Sequence, residues 1–185
     1  MTLETQRLLL RPLRGEDAET LFAMDSDPEV MRYLTVTFNP PVSPEPAREW
    51  IRFLQTQYYN RNSRYGVFAA EEKASGELVG WFILRPALEY RFAVSADFQE
   101  GELELGYRFQ HKFWGRGLGT EGSKALIEYA REDPEVKAIV AIALIANRAS
   151  TRVMEKAGLK RDHECSLPGY PTPAVVYRLD FPQER

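Results

Sequence analysis

Two stretches in the second half of the chain, WGRGLGTEGSKALIEYA (114–130) and NRASTRVMEKAGL (147–159), decide the fold. The first starts as a turn in which glycine alternates with other residues, and it continues with the apolar spacing of a helix. Glycines let the backbone approach an anion closely, and the first amides of a helix bind phosphate oxygens. The turn over 114–122 therefore predicts a phosphate site, to which Arg116 adds a positive charge. A plain connection between a strand and a helix is the alternative.

Two familiar phosphate-binding motifs are similar to this turn but are disfavoured. Gly117-x-Gly119-x-x-Gly122 matches the dinucleotide fingerprint. That fingerprint requires an acidic residue at the end of the next strand, which here ends in Ala146-Asn147. A P-loop would need Gly-Lys-Ser/Thr after four spacer residues, which the turn lacks. The remaining candidate is the pyrophosphate loop of an acyl-CoA transferase.

The flanking sequence predicts a mixed α/β pattern in one domain over 1–185. We predict strands over 7–13, 65–71, 77–84, 102–109, 136–146, 161–167 and 174–181. We predict helices that begin at Gly15, at Ser26 or Asp27, at Ser43-Pro44 (ending near Asn60), out of the turn 114–122 with Leu118 on the apolar side (ending near Arg131), and at Asn147 (ending at Ala157). Thr35 to Ser43 is expected to be a loop. The segment 85–101 shows no clear period and is expected to be a loop over or beside a site.

Composition excludes several classes of protein. The chain has 185 residues, of which 44% are hydrophobic and 28% charged, as in an ordinary globular domain. A net charge of -3 argues against a broad basic face for nucleic acid. The single cysteine, Cys165, cannot form an intramolecular disulfide, and one cysteine with two histidines cannot build a Cys/His zinc cluster. From this Cys/His count we expect no metal. The first residues lack a long apolar run, so we expect a cytoplasmic protein with no membrane contact.

The two quoted stretches resemble the GNAT superfamily of N-acetyltransferases, specifically its branch of ribosomal-protein N-terminal (Rim-like) acetyltransferases. TQRLLLRPLRGEDAETLFAMDSDPEVMRYL (5–34) is similar to the same branch, so the resemblance covers almost the whole chain. The most specific motif is Asn147-x-x-Ser150 followed by Met154-Glu-Lys-x-Gly-Leu, because residue types, order and spacing all match.

The resemblance implies a GNAT-like mixed sheet with flanking helices and two splayed central strands, near 102–109 and 136–146, that open a slot for a thioester. It implies acetyl-CoA as co-substrate, with its pyrophosphate on the amides of 115–120 and its pantetheine arm along 107–109. Asn147 would bind the arm or the acetyl end. The implied cofactor-binding residues are Tyr107, Arg108, Phe109, Trp114, Gly115, Arg116, Gly117, Leu118, Gly119, Thr120, Asn147 and Ser150.

The chain departs from many GNAT proteins at two positions. Trp114 stands where many of the loops begin with Gln or Arg, a change shared with the Rim-like branch. Met154 stands where many members outside that branch carry a tyrosine as general acid. A thioether cannot donate a proton, so Ser150, one helical turn beyond Asn147, is the candidate donor or sulfur-binding group. A helix-start serine bonded to nearby backbone is the alternative.

Two carboxylates are candidates for the base. In ELELGYRF (102–109) strict alternation places Glu102 and Glu104 on one strand face, opposite Leu103 and Leu105. Either carboxylate could take a proton from an amine, directly or through water. A solvated polar face of an edge-like strand is the alternative. Glu104, directly before Leu-Gly-Tyr, matches a recurrent position of the Rim-like branch and is the preferred base.

We therefore expect direct transfer of acetyl from acetyl-CoA to a primary amine, without a covalent enzyme intermediate. The branch resemblance implies a protein N-terminal α-amine as acceptor. A small-molecule amine, such as an antibiotic or a polyamine, and a non-catalytic acyl-CoA-binding module are the alternatives. The aromatic residues Trp81, Phe82, Tyr90 and Phe92 are candidates to line the acceptor pocket. The protein is expected to act as a monomer or a homodimer.

Overall fold

The structure, a computed structural model, describes residues 2–34, 37–61 and 63–182. The strands are β1 (Leu3–Glu4), β2 (Leu8–Arg11), β3 (Gly66–Glu72), β4 (Glu77–Pro86), β5 (Glu102–Phe109), β6 (Ala138–Leu144), β7 (Lys160–Cys165) and β8 (Ala174–Asp180). The α-helices are α1 (Ala18–Asp25), α2 (Pro28–Met31), α3 (Glu45–Gln57), α4 (Leu118–Arg131) and α5 (Arg148–Ala157). Short 3₁₀ turns cover Gly15–Asp17, Tyr59–Arg61, Ala87–Glu89 and His111–Phe113.

The strands form one mixed sheet in the order β1-β2-β3-β4-β5-β6-β8-β7. Strands β5 and β6 run parallel, whereas β2 pairs with β3, and β8 pairs with β6 and β7, in antiparallel fashion. This confirms the predicted α/β class with a mixed sheet and flanking helices.

Backbone contacts divide the chain into two compact units, Met1–Ile83 with Tyr107–Leu118, and Leu84–Gly106 with Gly119–Arg185. The first unit has a core that includes Leu21, Ile51 and Leu54, with Trp50 and Trp81 packed against it. The second has a core cluster of Ala87, Ala93, Ala96, Phe98, Val140 and Val176. The assignment of 1–185 to a single domain stays a prediction.

Parallel pairing between β5 and β6 is short. The register runs from Glu102↔Ala138 to Glu104↔Val140 and ends there, although β6 continues to Leu144. Over that remaining length β6 stays paired with β8, as far as Leu144↔Ala174. The parallel register therefore ends at Glu104, within the region where the resemblance implies two splayed strands.

Helix termini follow the local sequence signals. Asp27 caps α2, because its carboxylate accepts the Glu29 amide at 2.9 Å. The Asn147 side chain caps α5 by accepting the Ser150 amide at 3.2 Å. Gly158 ends α5 at φ +105°, in the left-handed region that glycine adopts without strain.

Several predicted boundaries were wrong. The first strand is shorter than 7–13, because Pro12 has no amide hydrogen for the ladder. Strand β1 was missed, since two residues show no period. The segment 85–101 is not all loop: it holds the end of β4 and the turn Ala87–Glu89. Of the predicted loop from Thr35 to Ser43, residues 35 and 36 lie outside the described part.

A close approach at Gly80 gives a test of the fold. A Cβ on Gly80 of β4 would lie 2.2 Å from the Arg108 carbonyl oxygen and 2.8 Å from the Phe109 Cα. Both are backbone atoms, so Gly80→Ala should lower the free energy of unfolding by about 1–3 kcal/mol or more. Gly15→Ala, where a Cβ meets nothing within 4 Å, is the control and should change it by less than about 0.5 kcal/mol. Urea unfolding followed by circular dichroism measures both; equal midpoints would contradict the close approach.

Candidate active site

The turn before α4 has the backbone of an anion-binding loop. Gly115 and Gly117 adopt φ +73° and +79°, which residues with a side chain rarely adopt. Helix α4 begins at Leu118. The first amides of a helix have no intrahelical acceptor, so those of Leu118, Gly119 and Thr120 are available to an anion. Loop and helix start thus provide the donors that a pyrophosphate requires.

Side chains of the first unit hold this loop in place. The Arg7 guanidinium donates to the Arg116 carbonyl at 2.9 Å. The Trp114 indole N–H donates to the Phe109 carbonyl at 2.9 Å, and the indole packs against His111 at 4.7 Å between ring centroids. Trp114 therefore ties the loop to the end of β5, which gives a structural role to the tryptophan that replaces Gln or Arg.

Arg116 is already paired in this structure. Its guanidinium forms an ion pair with Glu72, which is buried at the end of β3. The same guanidinium lies 5.1 Å from the centre of the Phe113 ring. The positive charge predicted for a phosphate is consequently shared with a carboxylate.

The side chains of 107–109 are engaged within the protein. Phe109 is buried and packs edge-to-face on Phe82 at 5.2 Å. Arg108 is ion-paired with Asp25 and lies 5.0 Å from the Trp81 ring centre, and burial lowers the pKa of its guanidinium. The Arg108 and Phe109 side chains are thus taken up by packing and pairing, and cofactor binding by 107–109 stays a prediction.

The candidate acceptor-pocket residues differ in how deeply the structure buries them. Phe82 is fully buried in the core, so its prediction as a pocket residue was wrong. Tyr90, Phe92 and Tyr170 are only partly buried and form a chain of ring contacts, at 5.7 Å from Tyr90 to Phe92 and 6.0 Å from Phe92 to Tyr170. Tyr170 was missed, because its loop is far from Tyr90 in sequence.

Both carboxylates of β5 are buried and ion-paired, so the alternative of a solvated strand face was wrong. Glu102 is 3% exposed and pairs with Arg178 of β8; it also accepts the Gln99 amide at 2.9 Å. Glu104 is 6% exposed, and its Oε2 lies 2.6 Å from the Nε of Arg85 on β4. The two arginines were missed, because no local pattern connects either of them with β5.

Burial and charge act in opposite directions on Glu104. Burial raises the pKa of its carboxyl, and the charge and hydrogen bond of Arg85 oppose that rise. The nearby carboxylate of Glu89 adds a smaller upward effect. The outcome is a pKa above the ordinary value, which suits a group that must take up a proton near neutral pH.

At the start of α5 the structure supports capping. Asn147 receives the Ser150 amide through its side chain, as described above, and its carbonyl accepts the Thr151 amide at 3.2 Å. Ser150 is partly buried, one turn into the helix. Met154 is buried and offers no proton. The capping role of Asn147 is confirmed, whereas ligand binding by Asn147 and Ser150 stays a prediction.

A cleft of about 500 Å³ lies in the first unit beside the 3₁₀ turn His111–Phe113. It is lined by Ala23, Met24, Asp27, Val30, Gln110, His111 and Lys112. Over the described ranges, no group of three or more His, Cys, Asp or Glu side chains is arranged to hold a metal ion. Of the helices in the described residues, none has the length and apolarity needed to cross a membrane.

Comparison with known proteins gives the class to which this fold and site belong. The family model of the acetyltransferase (GNAT) domain matches residues 7–160. The chain belongs to the GNAT acetyltransferase family. Its reaction class is therefore acetyl-CoA-dependent N-acetyl transfer, with acetyl-CoA as co-substrate.

Individual relatives agree with this assignment. The FsC-acetyl coenzyme A-N(2)-transacetylase of Aspergillus fumigatus is 33% identical over 161 residues, which are 85% of this chain and 64% of that protein. The chain thus spans just under two thirds of that relative's length.

Solved structures share the fold. An acetyltransferase (GNAT family) from Bacillus anthracis superposes with a TM-score of 0.77 at 23% identity, covering 97% of this chain and 98% of that one. The aminoglycoside acetyltransferase AAC(6')-Ib in complex with coenzyme A gives 0.68 at 21% identity, covering 92% and 93%. At this identity the likeness shows the fold alone.

Substitution of a loop glycine should separate backbone strain from ligand binding. Gly117 (φ +79°) and Gly76 (φ +69°, in the β3–β4 turn) both have left-handed backbone. A Cβ would meet Arg7 Nη2 in ordinary contact at 3.5 Å in the first case and nothing within 4 Å in the second. Leucine at either position should cost about 1–2 kcal/mol of stability. Only Gly117→Leu should weaken acetyl-CoA binding, by about 10-fold or more, because the side chain competes with the pyrophosphate. Titration calorimetry measures the affinity. Unchanged affinity in folded Gly117→Leu would leave the loop as a plain turn.

Proposed function

We propose that this protein transfers acetyl directly from acetyl-CoA to a protein N-terminal α-amine, with Glu104 as the base. The observation that carries the proposal is the position of Glu104. It is a buried carboxylate at the last residue pair before β5 and β6 separate. Family membership and the acetyltransferase names of the relatives disfavour a non-catalytic acyl-CoA-binding module.

Under this proposal the amides of 115–120 bind the pyrophosphate of acetyl-CoA, and Arg116 exchanges part of its pairing with Glu72 for a phosphate oxygen. The backbone of 107–109 binds the pantetheine arm as an added strand would. Asn147 and Ser150 act on the arm and the thioester. The positive φ values of Gly115 and Gly117 support the first of these roles.

The transfer itself needs two protons to leave the acceptor nitrogen. Glu104 takes the first from the ammonium form, which gives the neutral amine. The amine nitrogen then bonds to the thioester carbonyl carbon as the carbon–sulfur bond breaks. The second proton passes from nitrogen to the CoA thiolate, for which Ser150 is the proposed donor group or relay. Since Met154 cannot donate, this role falls on Ser150 or on water.

An α-amine suits a single carboxylate base. With a pKa of about 7.8, such an amine costs roughly 1 kcal/mol to deprotonate at pH 7, whereas a lysine with a pKa of about 10.4 costs roughly 4.6 kcal/mol. Arg85 restrains the basicity of Glu104, so an acceptor that is already partly neutral fits this site best. The resemblance of 5–34 and 147–159 to the Rim-like branch supports the same acceptor.

A small-molecule amine is the second candidate. The relative that is 33% identical is named for transfer to an N(2) nitrogen, and one structural neighbour is named for aminoglycosides. Aminoglycosides are small-molecule amines, so the second of these names supports this candidate. An acceptor panel separates the two candidates.

The panel should contain an N-terminal peptide, the same peptide with a blocked N-terminus and an internal lysine, a polyamine and an aminoglycoside. We expect the free N-terminal peptide to have the highest kcat/KM, because its amine needs the least help from a base. Release of CoA thiol, followed with a thiol reagent, measures transfer. Activity confined to the polyamine or the aminoglycoside would replace the proposed acceptor.

Replacing each β5 carboxylate tests the base. Glu104→Gln should slow transfer to the N-terminal peptide about 10- to 100-fold near neutral pH. The loss should shrink as pH rises past the amine pKa, because more acceptor is then neutral without a base. Glu102→Gln is the matched control: it also removes a buried, arginine-paired carboxylate, and it should change stability more than rate. A pH-independent loss in Glu104→Gln would make Glu104 a residue that positions the acceptor.

A further inference from the structure

Two arginine–carboxylate pairs on β5 look alike but differ in how fully the carboxylate is hydrogen-bonded. Glu102 is bonded through both oxygens: Oε1 pairs with Arg178, and Oε2 accepts the Gln99 amide at 2.9 Å. Glu104 Oε2 accepts from Arg85 Nε at 2.6 Å. In residues 2–34, 37–61 and 63–182, no protein donor is found for Glu104 Oε1. One oxygen of Glu104 therefore has room for a further hydrogen bond.

The arginines differ in the same sense. Arg178 is shared between Glu102 and Asp180, whose carboxylate lies 2.6 Å from its Nε. Arg85 has Glu104 as its ion-pair partner and lies 5.7 Å from the centre of the Tyr90 ring. Its side chain is 22% exposed, against 8% for that of Glu104. Arg85 is thus the more exposed partner of this ion pair, and the Glu104 carboxylate is the more buried one.

From this geometry we infer that Arg85 is a positioning residue of the transfer reaction: it holds Glu104 ionised through Oε2 and leaves Oε1 to receive the acceptor's proton. This inference rests on the proposed role of Glu104 as base. A guanidinium has hydrogen-bond donors and no acceptor, so Arg85 cannot itself receive the proton. Its effect is on which form Glu104 takes and on where the carboxylate lies.

The charges around Glu104 support this role. From β4 it faces Arg85, and from the turn after β4 it faces Glu89 and Tyr90, while its register partner on β6 is the apolar Val140. Burial and Glu89 both favour the protonated carboxyl, and Arg85 opposes them. Burial, with the Glu104 charge, raises the pKa of Tyr90, so its phenol stays neutral in the neutral range. Without Arg85, burial and Glu89 would act on Glu104 unopposed.

Removing Arg85 should shift the pH dependence of the transfer reaction to higher pH. Removing Arg85 takes away an interaction that favours the carboxylate, so the pKa of Glu104 rises further. The base is then protonated over a wider range, and activity is recovered only as pH passes the higher value. Arg85→Gln should therefore lose about 10- to 100-fold in kcat/KM near pH 6 and much less near pH 9. Acetyl-CoA affinity should be unchanged.

Three variants test this on the full chain, with the N-terminal peptide as acceptor and kcat/KM measured between about pH 6 and pH 9. Arg85→Gln should move the acidic limb of the profile to higher pH. Arg85→Lys, which keeps the charge, should restore most of the wild-type limb. Arg178→Gln, the matched control, should lower the unfolding midpoint and leave the limb in place. Should Arg85→Gln fail to fold, Arg85→Met, which also removes the charge but keeps an unbranched side chain, should show the same shift, and ¹³C-carboxyl NMR of Glu104 reports it directly.

The outcomes separate this inference from the proposed function. If Glu104→Gln shows the pH-dependent loss expected of a base but Arg85→Gln leaves the acidic limb unmoved, Arg85 has only a structural role and the inference is overturned. If Arg85→Gln and Arg178→Gln lose activity equally at every pH, the same conclusion holds. If Glu104→Gln itself leaves rate and profile unchanged, the base assignment fails first, and the role of Arg85 fails with it.

Discussion

The separation of β5 from β6 after Glu104 is the constraint on which the candidate site depends. Strand β6 is paired with β8 along its whole length. Its edge towards β8 therefore keeps its backbone partners beyond Val140, where the pairing with β5 ends. Leu105, next along β5, has lost its β6 neighbour. Backbone N–H and C=O groups in the interior require partners, and under the proposed function the pantetheine arm would provide them in the same way as an added strand. The place where the sheet opens therefore determines where a thioester can lie.

The same constraint explains why carboxylates occur inside this sheet. A buried carboxylate is costly unless it is paired and hydrogen-bonded, and β5 carries two of them. Glu102 lies within the paired part of β5 and has donors on both oxygens, as expected for a structural ion pair. Glu104 lies at the end of the paired part and is held through one oxygen. The two glutamates thus differ more in how many of their carboxylate oxygens are hydrogen-bonded than in how deeply they are buried.

Anion binding depends on a second local constraint, the backbone of the glycine loop. Gly115 and Gly117 need positive φ, and three contacts hold the loop: Arg7 and Glu72 from other segments, and Trp114 of the loop itself, which donates to the Phe109 carbonyl. Because Arg116 is paired with Glu72, the amides of the loop and of the α4 start supply most of the attraction for a pyrophosphate. Under the proposed function, the site would therefore bind an anion mainly through backbone groups, which act only if their directions are fixed in advance.

Much of the fold could be predicted from the sequence, because its signals are local. Apolar and polar residues alternate along β5 (102–109), the Asn147 cap and Gly158 mark the ends of α5, and the glycine loop precedes the start of α4. The family follows from the order and spacing of these motifs. What the sequence missed has no local signal: β1 is too short to show a period, and 85–101 has none.

The sequence by itself determined the fold class, the glycine loop and Glu104 as candidate base. Only the tertiary structure decided the surroundings of Glu104. Alternation along β5 placed both glutamates on one face, but whether that face is solvated or buried depends on strands and turns far away in sequence. Arg85 and Arg178 lie 19 and 76 residues from their partners. Such pairs form because burial makes an unpaired charge costly, and burial is a property of the folded chain.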